Sequence, residues 1–303
     1  MIGTRRLGKR VDVKVGFSCN NNCLFCVQAD KKTWGDKKTD QIKREIGMAM
    51  NNGASGIVFT GGEPSIRPDI IELVSYAKSM GFSTIQLQTN GRRFYYMDFC
   101  RDMVEAGMNE FGPAVHGPNP EVHDTLTCSE GSFRQTVQGI RNVRSLGVTV
   151  VTNTVVTKPN YRHLPEIARL LVSLGVSQFQ FAFVHPIGNA LKNFDDMVPR
   201  VSDAAPYIHK GLQIGIDNGL MVMAEAMPYC MMVGYEDYIS ERYIPDTEIR
   251  DAGYVIKDYG KQRLKDKAKF PKCKECIYDR ICEGPWKEYP ERMGSSEFVP
   301  VKP

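Results

Sequence analysis

Apolar positions along this chain follow two periods in turn, and their alternation predicts the architecture. Val11, Val13, Val15 and Phe17 read as a first strand. From about 38 to 52, Ile42, Ile46 and Ala49 fall at helical spacing, and Gly56 to Thr60 follows as a short buried strand bounded by Gly61-Gly62. Ile70, Leu73, Val74 and Ala77 mark a helix stopped near Gly81, and Thr84 to Gln88 a strand closed by the turn signal Thr89-Asn90-Gly91. A helix through Met97 and Val104 ends at Gly107, and a strand runs to about Val115. Phe133, Val137, Ile140 and Val143 make another helix, stopped at Gly147. The pattern continues with a strand over 148–156, a helix over 164–174, a strand over 177–184 and a helix over about 203–217. Six βα units predict a parallel sheet with right-handed crossovers, either an open or partial barrel or a doubly wound sheet. Periodicity does not choose between them.

After residue 220 the rhythm stops. Met221 to Met227 reads as a strand, followed by Pro228-Tyr229-Cys230. A basic, tyrosine-rich stretch from Tyr235 to Lys272 reads as a solvated face. Two units are therefore expected, 1–217 and 218–303.

In either α/β architecture, ligands sit at the carboxyl ends of the strands. Those ends carry the cysteine loop, Thr60-Gly61-Gly62-Glu63-Pro64, Gln88-Thr89-Asn90-Gly91, Val115-His116-Gly117, Thr152-Asn153-Thr154 and His185-Pro186-Ile187-Gly188-Asn189. The polar and glycine positions thus collect at one end of the sheet. Paired glycines let backbone approach a ligand closely, and Glu63 offers an acceptor for an ammonium group. A plain strand-to-helix turn is the other reading of the same residues.

Composition narrows the classes. The 303 residues suffice for one large α/β domain and a small appendage. A net charge of +4 gives no argument for nucleic acid, and no apolar run approaches the roughly 18 residues of a membrane span. Nine cysteines, six of them clustered at the two ends, point to metal and to a reducing, cytoplasmic compartment.

Cys19-Asn20-Asn21-Asn22-Cys23-Leu24-Phe25-Cys26 places three thiols on one loop after the first strand. Thiolates hold iron–sulfur clusters, and three are one short of a full set for a 4Fe–4S cluster, leaving one iron open. A small molecule with an amine and a carboxylate could chelate that iron. A zinc site would want four ligands in repeated pairs, and a disulfide belongs to secreted proteins, whereas no charged-then-apolar leader precedes this strand.

The spacing C-x3-C-x2-C, followed one βα unit later by Gly61-Gly62-Glu63-Pro64, resembles the signature of the radical S-adenosylmethionine (SAM) superfamily. The resemblance implies a partial (β/α)6 barrel over about residues 8–217. It implies a 4Fe–4S cluster on Cys19, Cys23 and Cys26 that cleaves SAM to a 5′-deoxyadenosyl radical. Gly61, Gly62, Glu63 and Pro64 would hold the SAM amino group, with Asn90, Asn153 and Gly188 also beside SAM. His116 departs from the Asp-Gly of many relatives with appended clusters; a donor to SAM or substrate, a proton relay and a packed core histidine are its open roles. Cys128, in the loop from Thr125 to Gly131, reads as a solvent-side thiol, and Cys100 as core.

In the tail, Cys273, Cys276 and Cys282 stand at C-x2-C-x5-C, which resembles part of the SPASM or shorter twitch extensions that bind auxiliary 4Fe–4S clusters. Trp286 stands where the longer pattern has its next cysteine. Cys230, the remaining tail cysteine, is expected to complete one auxiliary cluster; a four-cysteine zinc knuckle is the competing reading. The resemblance implies an oxidoreductase acting on a peptide or a small-molecule substrate such as a cofactor precursor, fed by a reductant such as flavodoxin or ferredoxin. With a first strand near residue 11, no N-terminal peptide-recognition domain is expected, which weakens the peptide reading without excluding it. A non-catalytic iron–sulfur electron carrier or zinc-stabilised scaffold is the alternative, though neither has a use for the Gly-Gly-Glu-Pro loop.

Overall fold

The computed structural model describes residues 8–302. Its strands are β1 (Arg10–Lys14), β2 (Gly56–Thr60), β3 (Thr84–Thr89), β4 (Glu110–Pro113), β5 (Thr149–Val156), β6 (Gln178–Phe183), β7 (Met221–Glu225), β8 (Thr247–Arg250) and β9 (Val255–Ile256). The principal helices are α1 (Thr39–Asn51), α2 (Ile70–Ser79), α3 (Met97–Ala106), α4 (Pro120–Thr127), α5 (Ser132–Ser145) and α6 (Leu164–Ser173). Two short turns, α7 (Asn189–Lys192) and α8 (Phe194–Met197), precede α9 (Val201–Asp217), and α10 (Tyr259–Leu264) lies in the tail.

Strand order decides between the two architectures left open by the periodicity. The sheet runs β7-β6-β5-β4-β3-β2-β1-β8-β9, so β1 to β7 follow one another without reversal. A doubly wound sheet reverses its order at a switch point. Here every crossover steps the same way, which puts the helices on one face and curls the sheet into a partial barrel. All pairings are parallel except β8 with β9.

The tail does not stand apart from this sheet. β7 continues it beyond residue 217, and β8 lies parallel to β1, with Arg10 opposite Thr247 and Val13 opposite Arg250. The stretch from Tyr235 to Lys272, expected as a solvated face, therefore contains buried structure. All four residues of β8 are buried, Arg263 is 4% exposed, and the Lys267 side chain is 1% exposed. Ion pairing makes that burial tolerable: Arg263 grips Glu283 through two hydrogen bonds, and Lys267 lies 3.6 Å over the Trp286 ring.

Each strand sends one face to the helices and one to the barrel interior. In β1, Val11 and Val13 are fully buried in the core between sheet and helices, while Arg10, Asp12 and Lys14 line the interior. Barrel interiors are usually filled by branched apolar side chains. This one carries Gln86 and Gln88 of β3, Gln178 and Gln180 of β6 and Glu225 of β7 around a cavity of about 1180 Å³. The interior is a polar chamber.

Candidate active site

The cysteine loop leaves β1 and is clamped by two elements. The N–H groups of Asn22 and Leu24 donate to the carbonyls of Thr127 and Leu126, each at 3.0 Å. Those are carbonyls at the end of α4, which have no partner within their own helix. From the other side, Asn189 donates its backbone N–H to Cys26 O at 3.0 Å and its side-chain amide to Cys23 O at 2.9 Å, and Asn193 donates to Leu24 O at 2.9 Å. With the backbone so held, Cys19, Cys23 and Cys26 all line the cavity.

α4 is absent from the sequence-based assignment, and it moves the expected Thr125–Gly131 loop: the helix runs through Thr127, and only then does Cys128 turn left-handed at φ 50° and stand exposed. Its signal was Asn119-Pro120. The Asn119 side chain caps the helix by accepting the Val122 N–H at 3.1 Å, and proline suits the first helical position.

Gly61, Gly62 and Gly188 serve the loop's backbone before any ligand. A Cβ on Gly61 would stand 2.1 Å from Gly16 O, on Gly62 2.3 Å from Ser18 O, and on Gly188 2.5 Å from Cys26 O. Gly62 and Glu63 donate their N–H groups to Gly16 O and Ser18 O, each at 2.8 Å. Gly61 and Gly62 also line the cavity, while Gly188 lies behind the loop and its neighbours His185 and Ile187 reach the chamber.

Glu63 is 2% exposed and braces the site. Its carboxylate accepts from Ser65 N–H at 2.9 Å, from Thr89 Oγ1 at 2.5 Å and from Asn90 N–H at 2.5 Å, tying the end of β2 to the end of β3. Burial pushes its carboxyl above the ordinary range against the pull of those bonds. A carboxylate has about four lone-pair sites, so three bonds leave capacity for one more donor. Pro64 is buried under the same turn, and the Asn90 side chain reaches Asn20 Oδ1 at 2.6 Å.

His116 is buried, with its Nδ1 accepting the Val155 N–H at 3.3 Å and its ring edge-on to Phe25 at 4.7 Å. Burial pushes it down to about 3, so it is a neutral imidazole whose proton sits on Nε2. It packs under the cysteine loop and lines the chamber as well. Asn153 lines the chamber with Oδ1 buried and unbonded, as do Thr152 Oγ1 and Gln86 Oε1. Orphaned acceptors of this kind suit a polar ligand.

Burial raises the thiols of Cys19, Cys23 and Cys26, and the Lys32 ammonium pulls each back toward thiolate. Among the described residues no three His, Cys, Asp or Glu side chains converge as a single ion requires. The fit to a cluster rests on the donor set: three thiols from one fixed loop, facing one chamber, with a cation beside them. At about 1180 Å³ the chamber exceeds the roughly 300–1,000 Å³ of ordinary ligand pockets.

The tail gathers its own set. Cys230, Cys273, Cys276 and Cys282 line one pocket of about 30 Å³ together with Phe270, Pro285 and Phe298. Burial and the three neighbouring thiols push Cys230 up to about 12. Trp286, at the position expected for a further cysteine, is buried and stacks on His185 at 3.8 Å, with its Nε1–H on Phe183 O at 3.3 Å. It joins the tail to the end of β6. Cys100 is fully buried in α3, as expected.

The fold and site define an α/β partial barrel with a three-thiol loop at the mouth and a glycine-rich loop bonded to it. The Radical SAM superfamily description matches residues 13–171, more than half of the chain, and the chain belongs to that superfamily. The AdoMet-dependent heme synthase of Oleidesulfovibrio alaskensis is 31% identical over 179 residues, 58% of this chain and 46% of the relative. The probable GTP 3′,8-cyclase of Saccharolobus islandicus is 28% identical over 186 residues, 59% of each chain. This chain spans between about half and two thirds of the length of such curated relatives. Among solved structures, Streptococcus suis SuiB bound to precursor peptide SuiA superposes with a TM-score of 0.69 at 14% identity, over 96% of this chain and 74% of that one. Native anSMEcpe with bound AdoMet and Cp18Cys peptide gives 0.69 at 15%, over 97% and 92%. Those likenesses establish the fold. No helix of the described residues is long and apolar enough to cross a membrane.

Proposed function

We propose that this protein is a radical SAM oxidoreductase that binds SAM and a polar substrate together in the barrel chamber. One observation carries the reading: the three loop thiols, the Gly61-Gly62-Glu63 turn and the unpartnered polar groups of β3 and β5 all face one cavity of about 1180 Å³. Cys19, Cys23 and Cys26 would hold the catalytic 4Fe–4S cluster, and Cys230, Cys273, Cys276 and Cys282 an auxiliary one. When loaded, the two clusters would supply the redox chemistry: one-electron reductive cleavage of the SAM S–C5′ bond to methionine and a 5′-deoxyadenosyl radical that takes a substrate hydrogen, and uptake of the electron left on the substrate radical.

The chain's own residues position and enclose. Glu63 has room for one more donor and would take the SAM ammonium while holding Thr89 and Asn90 in place. Neutral His116 would donate from Nε2 without adding charge to the chamber. The walls of the barrel would surround the reacting carbon and limit its contact with bulk water. A small molecule or cofactor precursor is favoured over a peptide, because the sequence relatives are named for heme synthesis and GTP cyclisation and the peptide-bound likenesses reach only the fold. A low-potential carrier such as flavodoxin or ferredoxin would supply the reducing electron.

The test is anaerobic reconstitution with iron and sulfide, reduction by dithionite and assay of 5′-deoxyadenosine. Production dependent on SAM and on Cys19, Cys23 and Cys26 is expected. A protein that binds iron and never consumes SAM is instead the electron carrier.

A further inference from the structure

Below the cysteine loop, the barrel interior carries the Arg10 guanidinium near Asp12, Glu110 and Glu225 but in direct ion-pair contact with none of them. Arg10 opens β1, and strand alternation turns it, with Asp12 and Lys14, onto the chamber wall. Among the described residues it forms no ion pair, and its Nε is buried without a hydrogen-bond partner. The nearby carboxylates are engaged elsewhere: Asp12 with Lys14 at 3.1 Å and with Thr60, Glu110 with Gln86 Nε2 at 2.5 Å, Glu225 with Gln180 Nε2 at 2.5 Å. Burial raises the Glu110 and Glu225 carboxyls, and Arg10 pulls both back toward carboxylate. On another wall of the chamber, Arg263 of α10 is 4% exposed. Glu283 takes its Nε and Nη2 at 2.8 and 2.6 Å, while its Nη1 is buried with no partner. Unmade hydrogen bonds of a buried cation are costly, and the arginine fork matches planar oxyanions.

We propose that the floor of the chamber is an anion subsite in which Arg10, assisted by Arg263, receives a carboxylate or other oxyanionic group of the substrate. This rests on the reading of the chamber as the place where substrate lies. Arg10 stands four residues before the end of β1, about 13 Å down the strand at ~3.3 Å per residue. The substrate is therefore elongated, its anionic end on the floor and its reacting carbon toward the cysteine loop.

Calorimetry on the reconstituted protein tests this without any turnover, so its outcome is independent of SAM cleavage. The probes are glutarate, its neutral diamide, 1,5-diaminopentane and inorganic phosphate. Glutarate or phosphate is expected to bind at least about tenfold more tightly than the diamide or the diamine. That preference should fall about tenfold in Arg10→Gln and by a smaller factor in Arg263→Gln. Arg10→Lys, which keeps the charge and loses the fork, should fall between the wild type and Arg10→Gln, with an unchanged melting temperature showing that the fold is intact. Glutarate above phosphate assigns a carboxylate, and the reverse a phosphoryl group. A preference for the diamine, or glutarate binding unaltered in a folded Arg10→Gln, overturns the subsite.

Discussion

The two cysteine sites use the same donor atoms in opposite surroundings. The loop after β1 sets three thiols on the wall of a chamber of about 1180 Å³, among amides, carboxylates and Lys32. The tail sets four around a pocket of about 30 Å³ walled by Phe270, Pro285 and Phe298. On the proposed reading, three donors beside open polar space would leave a coordination position for a reacting molecule, whereas four donors under aromatic rings would leave none. The same contrast separates catalytic from structural zinc sites. If both sites hold clusters, their surroundings, more than ligand type, would set their roles.

The largest expected effect comes from breaking the open site. Alanine at Cys19, Cys23 or Cys26 should reduce 5′-deoxyadenosine formation to background while far-ultraviolet circular dichroism stays native, because these side chains face the chamber and the packed strands lie elsewhere. Retained cleavage in any of the three would reverse the assignment of the two sites.

The closed site is sharpened by a variant lacking all three loop cysteines. Its iron content should drop by half, and its electron paramagnetic resonance spectrum should not respond to SAM. Adding Cys230→Ala should then destroy or convert the remaining signal. If the signal persists unchanged, the tail pocket has three ligands and the contrast collapses.

Backbone support can be broken separately. Gly62→Ala puts a Cβ 2.3 Å from Ser18 O and 2.6 Å from Phe17 backbone. A cost of about 1–3 kcal/mol is expected from such overpacking, read as a lower denaturation midpoint. Iron should be lost from the loop and retained by the tail, since only the loop's entry is touched.

Acid acts on stability through two buried histidines and leaves the contrast between the two cysteine sites untouched. Burial holds His116 at about 3 and His123 at about 4, against about 6.5 in an unfolded chain. Both are neutral in the fold, so the stability they leave intact above pH ~6.5 declines as pH falls, because the unfolded state binds more protons. Between about pH 7 and 5 each should remove about 2 kcal/mol in urea titrations. His123→Asn, which still offers an acceptor to the His116 N–H, should remove about half of that slope. A slope that stays whole would show that other groups govern the acid response.

What the sequence determined by itself is the set of elements and the chemistry of their ends. Period-2 and period-3.6 runs such as Val11-Val13 and Ile42-Ile46-Ala49 depend on local geometry and burial of one face, and the observed strands and helices follow them closely. The cysteine spacing and Gly61-Gly62-Glu63-Pro64 are contiguous, so they too are legible without contacts. α4 was missed because its apolar positions are few and its one clear mark is a capping Asn119-Pro120. Only the tertiary structure decided which strands are neighbours, and hence barrel over doubly wound sheet, because strand order depends on pairings far apart in the chain. It brought Cys230 across more than forty residues to Cys273. It also turned Arg10, Asp12 and Gln180 into one chamber wall and folded the charged stretch around Arg263 and Lys267 against it. A charge reads as solvated in a sequence, and whether it is buried depends on a partner such as Glu283 that no local pattern reveals.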